Sequence, residues 1–127
     1  MILVDTNVII DFWKNPTDSS RRVFENEEVF VCGVVKAELL HGAVDENSYV
    51  KIKKALDCFP EIVISSEFWD DLSANLFRLK RKGLTVPFQD AMIATIAISN
   101  SLRLWTLDKH FSVIKSVLKD LTLFRLD

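Results

Sequence analysis

Four acidic residues stand apart from the other carboxylates of this chain: Asp5, Glu38, Asp90 and Asp108. Asp5 directly follows the apolar run Ile2 to Val4, and Asp108 comes just after Leu104 to Thr106 in the same way. A side chain placed there projects at the C-terminal edge of a buried strand, where open α/β sheets bind ligands. Glu38 falls within the first turn or so of a helix that follows the apolar run Val29 to Cys32, which returns it to the same edge. Asp90 sits near the start of a helix after Pro87, among Val86, Phe88, Ala91, Met92 and Ile93. Taken singly, each position is explained by capping or by complementing a helix N-terminus. It is the convergence of all four on one edge that asks for another explanation.

Carboxylates gathered that closely repel one another, and without a counterion some take up protons. A divalent cation removes the conflict, and an all-carboxylate set suits a hard, oxygen-seeking ion such as Mg2+ or Mn2+. No histidine cluster points to zinc instead. Mg2+ keeps several waters, can polarise a phosphoryl oxygen, and can activate or orient a water for in-line attack. The chemistry expected of such a site is metal-dependent phosphodiester hydrolysis.

Other polar residues invite roles with less support. Glu25, Glu27, Glu28, Asp45, Glu46, Glu67, Asp70 and Asp71 lie on polar faces or at helix ends and read as solvated charges. Asp11 is on the first helix, six residues past Asp5, and is expected to face elsewhere. His41 lies one turn past Glu38, and His110 precedes Phe111 as a solvated or capping group. Trp69 and Trp105 are expected in the core, whereas Trp13 ends the first helix and suits an exposed contact. Arg78 to Lys82, with Lys51, Lys53 and Lys54, could hold a nucleic-acid backbone or be solvated helical faces.

The elements that must position the acids alternate regularly. Strands are expected at Ile2 to Val4, Val29 to Cys32, Ile62 to Ile64, Leu104 to Thr106 and Leu121 to Phe124. Between them lie helices capped by Thr6 or Asn7, started again in the Asn15 to Ser20 turn, begun by Gly33, begun by Asn47 or Ser48, capped by Ser65 or Ser66, and begun after Pro87. Gly42 comes early for a clean stop, Pro60 halts the helix that runs to about Phe59, and Gly83 ends the long helix of Phe68, Leu72, Leu76 and Leu79. Strands apolar on both faces, alternating with helices, indicate an α/β sandwich: a mostly parallel sheet with helices on both faces.

Composition limits the alternatives. At 127 residues, 49% hydrophobic and 27% charged, the chain has the size and content of one ordinary globular domain. Cys32 and Cys58 form no metal-binding pair, and both read as buried thiols in a reducing compartment. No stretch approaches membrane-spanning length, and the expected location is the cytoplasm. A net charge of −2 argues against field-driven nucleic-acid binding as the main activity, without excluding a nuclease whose acidic site lowers the total.

With these residues in place the chain resembles the PIN-domain ribonucleases, in particular the VapC toxins of toxin–antitoxin pairs. The matching pieces are MILVDTNVIIDFW, KAELLHGA around Glu38, PFQDAMIATIA around Asp90, and LRLWTLDKHFSVI around Asp108, in the family's order across the chain. The resemblance implies a PIN-like three-layer sandwich formed by residues 1–127 as a single domain. It also implies one site for one or two Mg2+ or Mn2+ ions, with Asp5 and Asp90 as principal ligands and Glu38 and Asp108 completing the pocket. Thr6, Asn7 and Thr106 would hold the carboxylates in place. Cleavage of RNA with a metal-activated water, a homodimer, and a small VapB-like antitoxin partner follow from the same resemblance. Where many VapC sequences carry a Ser and a Thr before the glutamate, this chain has Gly33 and Val35.

Three rivals fare worse. A phosphatase with an aspartyl nucleophile needs a second aspartate two residues on, where this chain has Asn7, and a receiver domain needs one after Ile64, where it has Ser65 and Ser66. A PIN-like binding protein without turnover is disfavoured by the presence of all four acids.

Overall fold

The structure, a computed structural model, describes residues 1–126. Its centre is β1 (Ile2–Val4), whose three side chains are fully buried. β2 (Val29–Phe30) pairs with one side of β1 and β3 (Arg103–Trp105) with the other, and β4 (Thr122–Phe124) pairs with β3. All pairings are parallel and the order is β2-β1-β3-β4, with Ile2 opposite both Val29 and Arg103. Such a sheet can shield its backbone only between helices, which is why its strands are apolar on both faces.

The helices are α1 (Thr6–Lys14), α2 (Asp18–Asn26), α3 (Gly33–His41), α4 (Glu46–Leu56), α5 (Phe68–Arg81), α6 (Phe88–Ser99) and α7 (His110–Val117). From β1 the chain moves through α1 and α2 to one edge of the sheet, and from β3 through α7 to the other. Right-handed crossovers in opposite directions leave opposite faces covered. The reversal opens a crevice between the C-terminal ends of β1 and β3, the place where such sheets bind ligands. The α/β architecture expected from the sequence is the observed one.

One contiguous core joins the layers. α6 runs through it with Ala91, Ala94 and Ala97 fully buried, so that small side chains let it approach its neighbours α3, α5 and α7. Gly83, at φ 78°, takes the left-handed conformation that ends α5, a geometry only glycine adopts without strain.

Several local expectations are corrected. Ile62 to Ile64 is not a strand: it is anchored by a single Val31–Glu61 bridge, because two-residue β2 has no further partners to offer. Asp5, not Thr6 or Asn7, caps α1, since those two side chains turn toward the acids. α4 is capped by Asp45, whose carboxylate accepts from the Ser48 N–H at 2.7 Å, and it ends at Leu56, before the turns that lead to Pro60. α3 does stop at Gly42. α5 begins at Phe68 after Glu67, without a serine side-chain cap. Its buried face runs through Phe68, Leu72, Asn75 and Leu79, which leaves Trp69 one position off the core and 52% exposed. Trp105 is buried as expected, but Cys58 is exposed in the turn after α4.

Candidate acidic active site

Asp5 leaves β1 in extended conformation and begins α1, so its carboxylate is held at the crevice and almost fully buried, at 6% exposure. Its backbone N–H donates to the Trp105 carbonyl, which ties it to the end of β3. Three donors then fix the carboxylate. The Thr6 N–H donates to Oδ1 at 2.8 Å, the Thr106 hydroxyl donates to Oδ2 at 2.7 Å, and the Asn7 amide donates to Oδ2 at 3.3 Å. A carboxylate accepts about four hydrogen bonds, so Asp5 retains acceptor capacity toward the crevice.

The same network reaches the β3 side. Asn7 Nδ2 also donates to Thr106 Oγ1 at 3.3 Å, and Asn7 Oδ1 accepts from the Leu107 N–H at 3.0 Å. Thr106 Oγ1 in turn accepts from the Asp108 N–H at 3.0 Å. Asp108 is exposed, with Oδ1 accepting from the His110 N–H at 2.8 Å as the chain turns into α7. On the other flank, the Thr6 hydroxyl approaches Glu38 Oε2 at 3.5 Å, while Asp90 comes from the first turn of α6.

Asp5, Thr6, Asn7, Ile10, Glu38, Asp90 and Asp108 line one open cleft of about 230 Å3. The four acids expected to converge thus face one space, and none of these lining residues is cationic. Thr106 stands behind the cleft, where its hydroxyl donates to Asp5.

The electrostatic cost is visible in the acids themselves. Burial, with Asp108 nearby, raises the pKa of Asp5 against its three hydrogen bonds. Burial, then Asp5 and Asp90, raises that of Glu38. Burial, then Asp5 and Asp108, raises that of Asp90, while His110 pulls the other way. Oxygen donors pressed together in this way suit a hard divalent cation. Among the described residues, no three metal-binding side chains close on a single point as a ready-made cage. The carboxylates instead stand around a water-accessible space, which suits an ion that keeps part of its hydration shell.

Two residues of this neighbourhood, His110 and Cys32, were read from the sequence without a place beside the acids. His110 is half-buried rather than solvated throughout: its Nε2 is buried without a hydrogen-bond partner in the structure, and the residue pulls the pKa of Asp90 down. Its position two residues after Asp108 was the available signal. Cys32 precedes α3 fully buried, and burial, together with the charges of Asp5 and Glu38, pushes its thiol up to about 11. It is therefore a protonated thiol at neutral pH and no nucleophile. Asp11 and His41 are exposed and line no part of the cleft, and Lys80 of the basic run borders a separate hollow with Leu84 and Val86. Trp13, half-exposed, lines an apolar hollow with Ile10, Leu39 and Ile52 that meets the cleft at Glu38.

The PIN domain family model matches residues 2–117. Ribonuclease VapC11 of Mycobacterium tuberculosis (strain ATCC 25618 / H37Rv) is 26% identical over 125 residues, covering 92% of this chain and 93% of its own. Ribonuclease VapC1 of Methanocaldococcus jannaschii is 29% identical over 115 residues, covering 90% and 81%. Among solved structures, VapBC2 from Rickettsia felis bound to a DNA fragment from their promoter superposes with a TM-score of 0.80 at 24% identity, over all of both chains.

Proposed function

The chain belongs to the PIN-domain family, and from that premise we propose that it is a Mg2+- or Mn2+-dependent endoribonuclease, the toxin of a VapBC-type pair. The observation that carries the reading is the cleft in which Asp5, Glu38, Asp90 and Asp108 face one another with no cation among the lining residues. The curated relatives named VapC ribonucleases support it.

In this reading Asp5 and Asp90 are the principal ligands of the ion, and Glu38 and Asp108 complete its shell directly or through water. A bound Mg2+ or Mn2+ supplies a Lewis acid for a phosphoryl oxygen and favours activation of a water for in-line attack. The protein contributes position. Thr106, Thr6 and Asn7 present hydrogens to Asp5, which keeps its charge aimed at the cleft and prevents the carboxylate from rotating away. Glu38, which lines the cleft with its Oε2 3.5 Å from the Thr6 hydroxyl, is the acid placed to take a proton from a water in that space. The cleft's openness admits an extended RNA strand, and residues 1–127 act as one nuclease domain.

The partner is a small VapB-like antitoxin. The apolar hollow of about 300 Å3 formed by Ile10, Trp13, Leu39 and Ile52 adjoins Glu38 and suits an apolar segment laid toward the acids. The solved relative described as VapBC2 supports a toxin–antitoxin assembly. We further propose that the chain works as a homodimer in the cytoplasm. Among the described residues, no helix is long and apolar enough to cross a membrane.

The test is incubation of the purified chain with defined RNAs in Mg2+, in Mn2+ and in chelator, followed by mapping of the cut ends, with Asp90→Asn as control. Cleavage that persists in chelator, or in Asp90→Asn, sinks the metal-site reading. Expression without toxicity and without a copurifying small protein counts against the toxin assignment and leaves the family membership intact.

A further inference from the structure

The geometry points to a phosphate subsite in the hollow beside Asp108, walled by Lys109, Ser112 and Arg125, which holds the RNA backbone next to the position of cleavage. This inference rests on the ribonuclease reading and extends it to particular cationic residues. Asp108 lines both the acidic cleft and this hollow, so the two adjoin on one surface.

An RNA strand carries a negative charge at every phosphate, and four carboxylates repel each one that lies outside reach of the divalent ion. A strand crossing the cleft therefore needs protein cations at a neighbouring phosphate. The cleft itself has none among its lining residues, and the hollow on the Glu38 side is apolar with only Lys14 among its lining residues as a cation. The Asp108 side has two, Lys109 and Arg125, both exposed to an incoming strand. Arg125 Nη2 donates to Ser112 Oγ at 3.2 Å, which holds the guanidinium against α7. A guanidinium has five N–H donors, so that contact leaves most of them for an anion. The space in the hollow, about 20 Å3, takes one oxygen-sized group. A phosphoryl oxygen fits that space, and a contact to phosphate positions the backbone without reading sequence.

The experiment measures binding of a fluorescent single-stranded oligoribonucleotide by the full chain, carrying Asp90→Asn to prevent turnover, across a series of KCl concentrations in Mg2+. For a single strand each neutralised phosphate contributes about 0.7 to the slope of log affinity against log salt. The double variant Lys109→Gln with Arg125→Gln is expected to lower that slope by about 0.7 for the one phosphate they share. Introduced into the active chain, it is expected to raise KM severalfold at unchanged kcat, as loss of uniform binding does. Lys119→Gln, an exposed cation beyond the other end of α7, is expected to change neither. Should the double variant fail to fold, Lys109→Gln alone lowers the slope and Arg125→Lys preserves it.

A double variant with the parental slope and KM overturns the subsite while the ribonuclease reading stands. So does an equal effect from Lys119→Gln, which would mean diffuse attraction only. Release of a copurifying partner protein with RNA binding unchanged assigns the hollow to that partner and overturns the proposal. If the slope falls as expected but the parent chain cuts no RNA, the phosphate contact stands, while the ribonuclease reading and the placement beside a cleavage position fail.

Discussion

Between α5 and α6 the buried side chains of Asn75 and Thr95 discharge their polarity within the protein, whereas at the ends of β1 and β3 the acids do not. Asn75 Nδ2 donates to Thr95 Oγ1 at 3.0 Å, Thr95 Oγ1 donates to the Ala91 carbonyl at 2.7 Å, and Arg78 Nη1 donates to Asn75 Oδ1 at 3.5 Å. No buried charge is left over from this chain of contacts. Asp5 is as well supplied with donors, yet it faces Glu38, Asp90 and Asp108 across a cleft without cations among its lining residues. The first arrangement fastens two helices. The second holds like charges together against their repulsion, a cost to the metal-free fold that a bound cation would offset. Thr95 and Asp90 lie on the same helix, so α6 carries a hydroxyl hydrogen-bonded in the core and a carboxylate facing the cleft a few residues apart.

The comparison is broken or sharpened first by Asp90→Asn. Metal-dependent RNA cleavage is expected to fall by roughly 10^3-fold, consistent with several kcal/mol of lost charge stabilisation. At the same time the thermal midpoint measured in chelator should rise, because one repelling charge is gone. A fall in that midpoint would contradict the account of the cleft. Next comes Thr106→Val, which removes the hydroxyl donor to Asp5 and should reduce metal affinity or cleavage by about 10–100-fold. Thr106→Ser should restore most of that loss in the same titration.

The α5–α6 contact should respond in the opposite currency. Asn75→Ala leaves the Thr95 side without its donor and should cost about 1–3 kcal/mol in urea unfolding. Cleavage per folded molecule should stay at the parental value; a large loss of turnover would show that the two regions are not separable. Saturating divalent ion, at about 100 times its Kd, should stabilise the parent by about 2.7 kcal/mol and Asp90→Asn by less.

The smallest effect expected is a pH slope. Asp5, Glu38 and Asp90 have raised pKa values, so near those values the folded chain binds more protons than the unfolded one. Their contribution to stability is therefore fully present below the unfolded values, about 4, and is lost as pH rises through the folded ones. Asp45 and Glu67, lowered by hydrogen bonds, act in the reverse sense at lower pH. Midpoints measured in chelator from pH 4 to 8 should consequently decline more in the parent than in Asp90→Asn. Equal slopes would mean that burial and its neighbours do not raise Asp90 in the folded chain.

Much of this was readable before the fold was known. Apolar runs ending at Asp5 and just before Asp108 placed those residues at a strand edge, because a buried parallel strand must be apolar throughout and its first polar residue marks where it emerges. Gly83 and Pro87 bounded α5 and α6 correctly for similarly local reasons. Reading failed where partners decide. Ile62 to Ile64 has strand-forming residues but lacks a strand to pair with, and Trp69 was assigned to the core by its helix when the buried stripe passes one residue away. Cys58 has apolar neighbours in sequence and solvent in space.

The amino-acid sequence by itself determined the α/β alternation and the types and spacing of the four acids, since these depend on short-range periodicity and on residue chemistry. Only the tertiary structure decided that the acids share one cleft, that Thr106 reaches Asp5 across 101 positions, and that the Nε2 of His110 is buried near Asp90. The reason is physical. Strand order β2-β1-β3-β4 makes neighbours of chain ends remote in sequence, and burial, which sets the charge state of each acid, is a property of that packing.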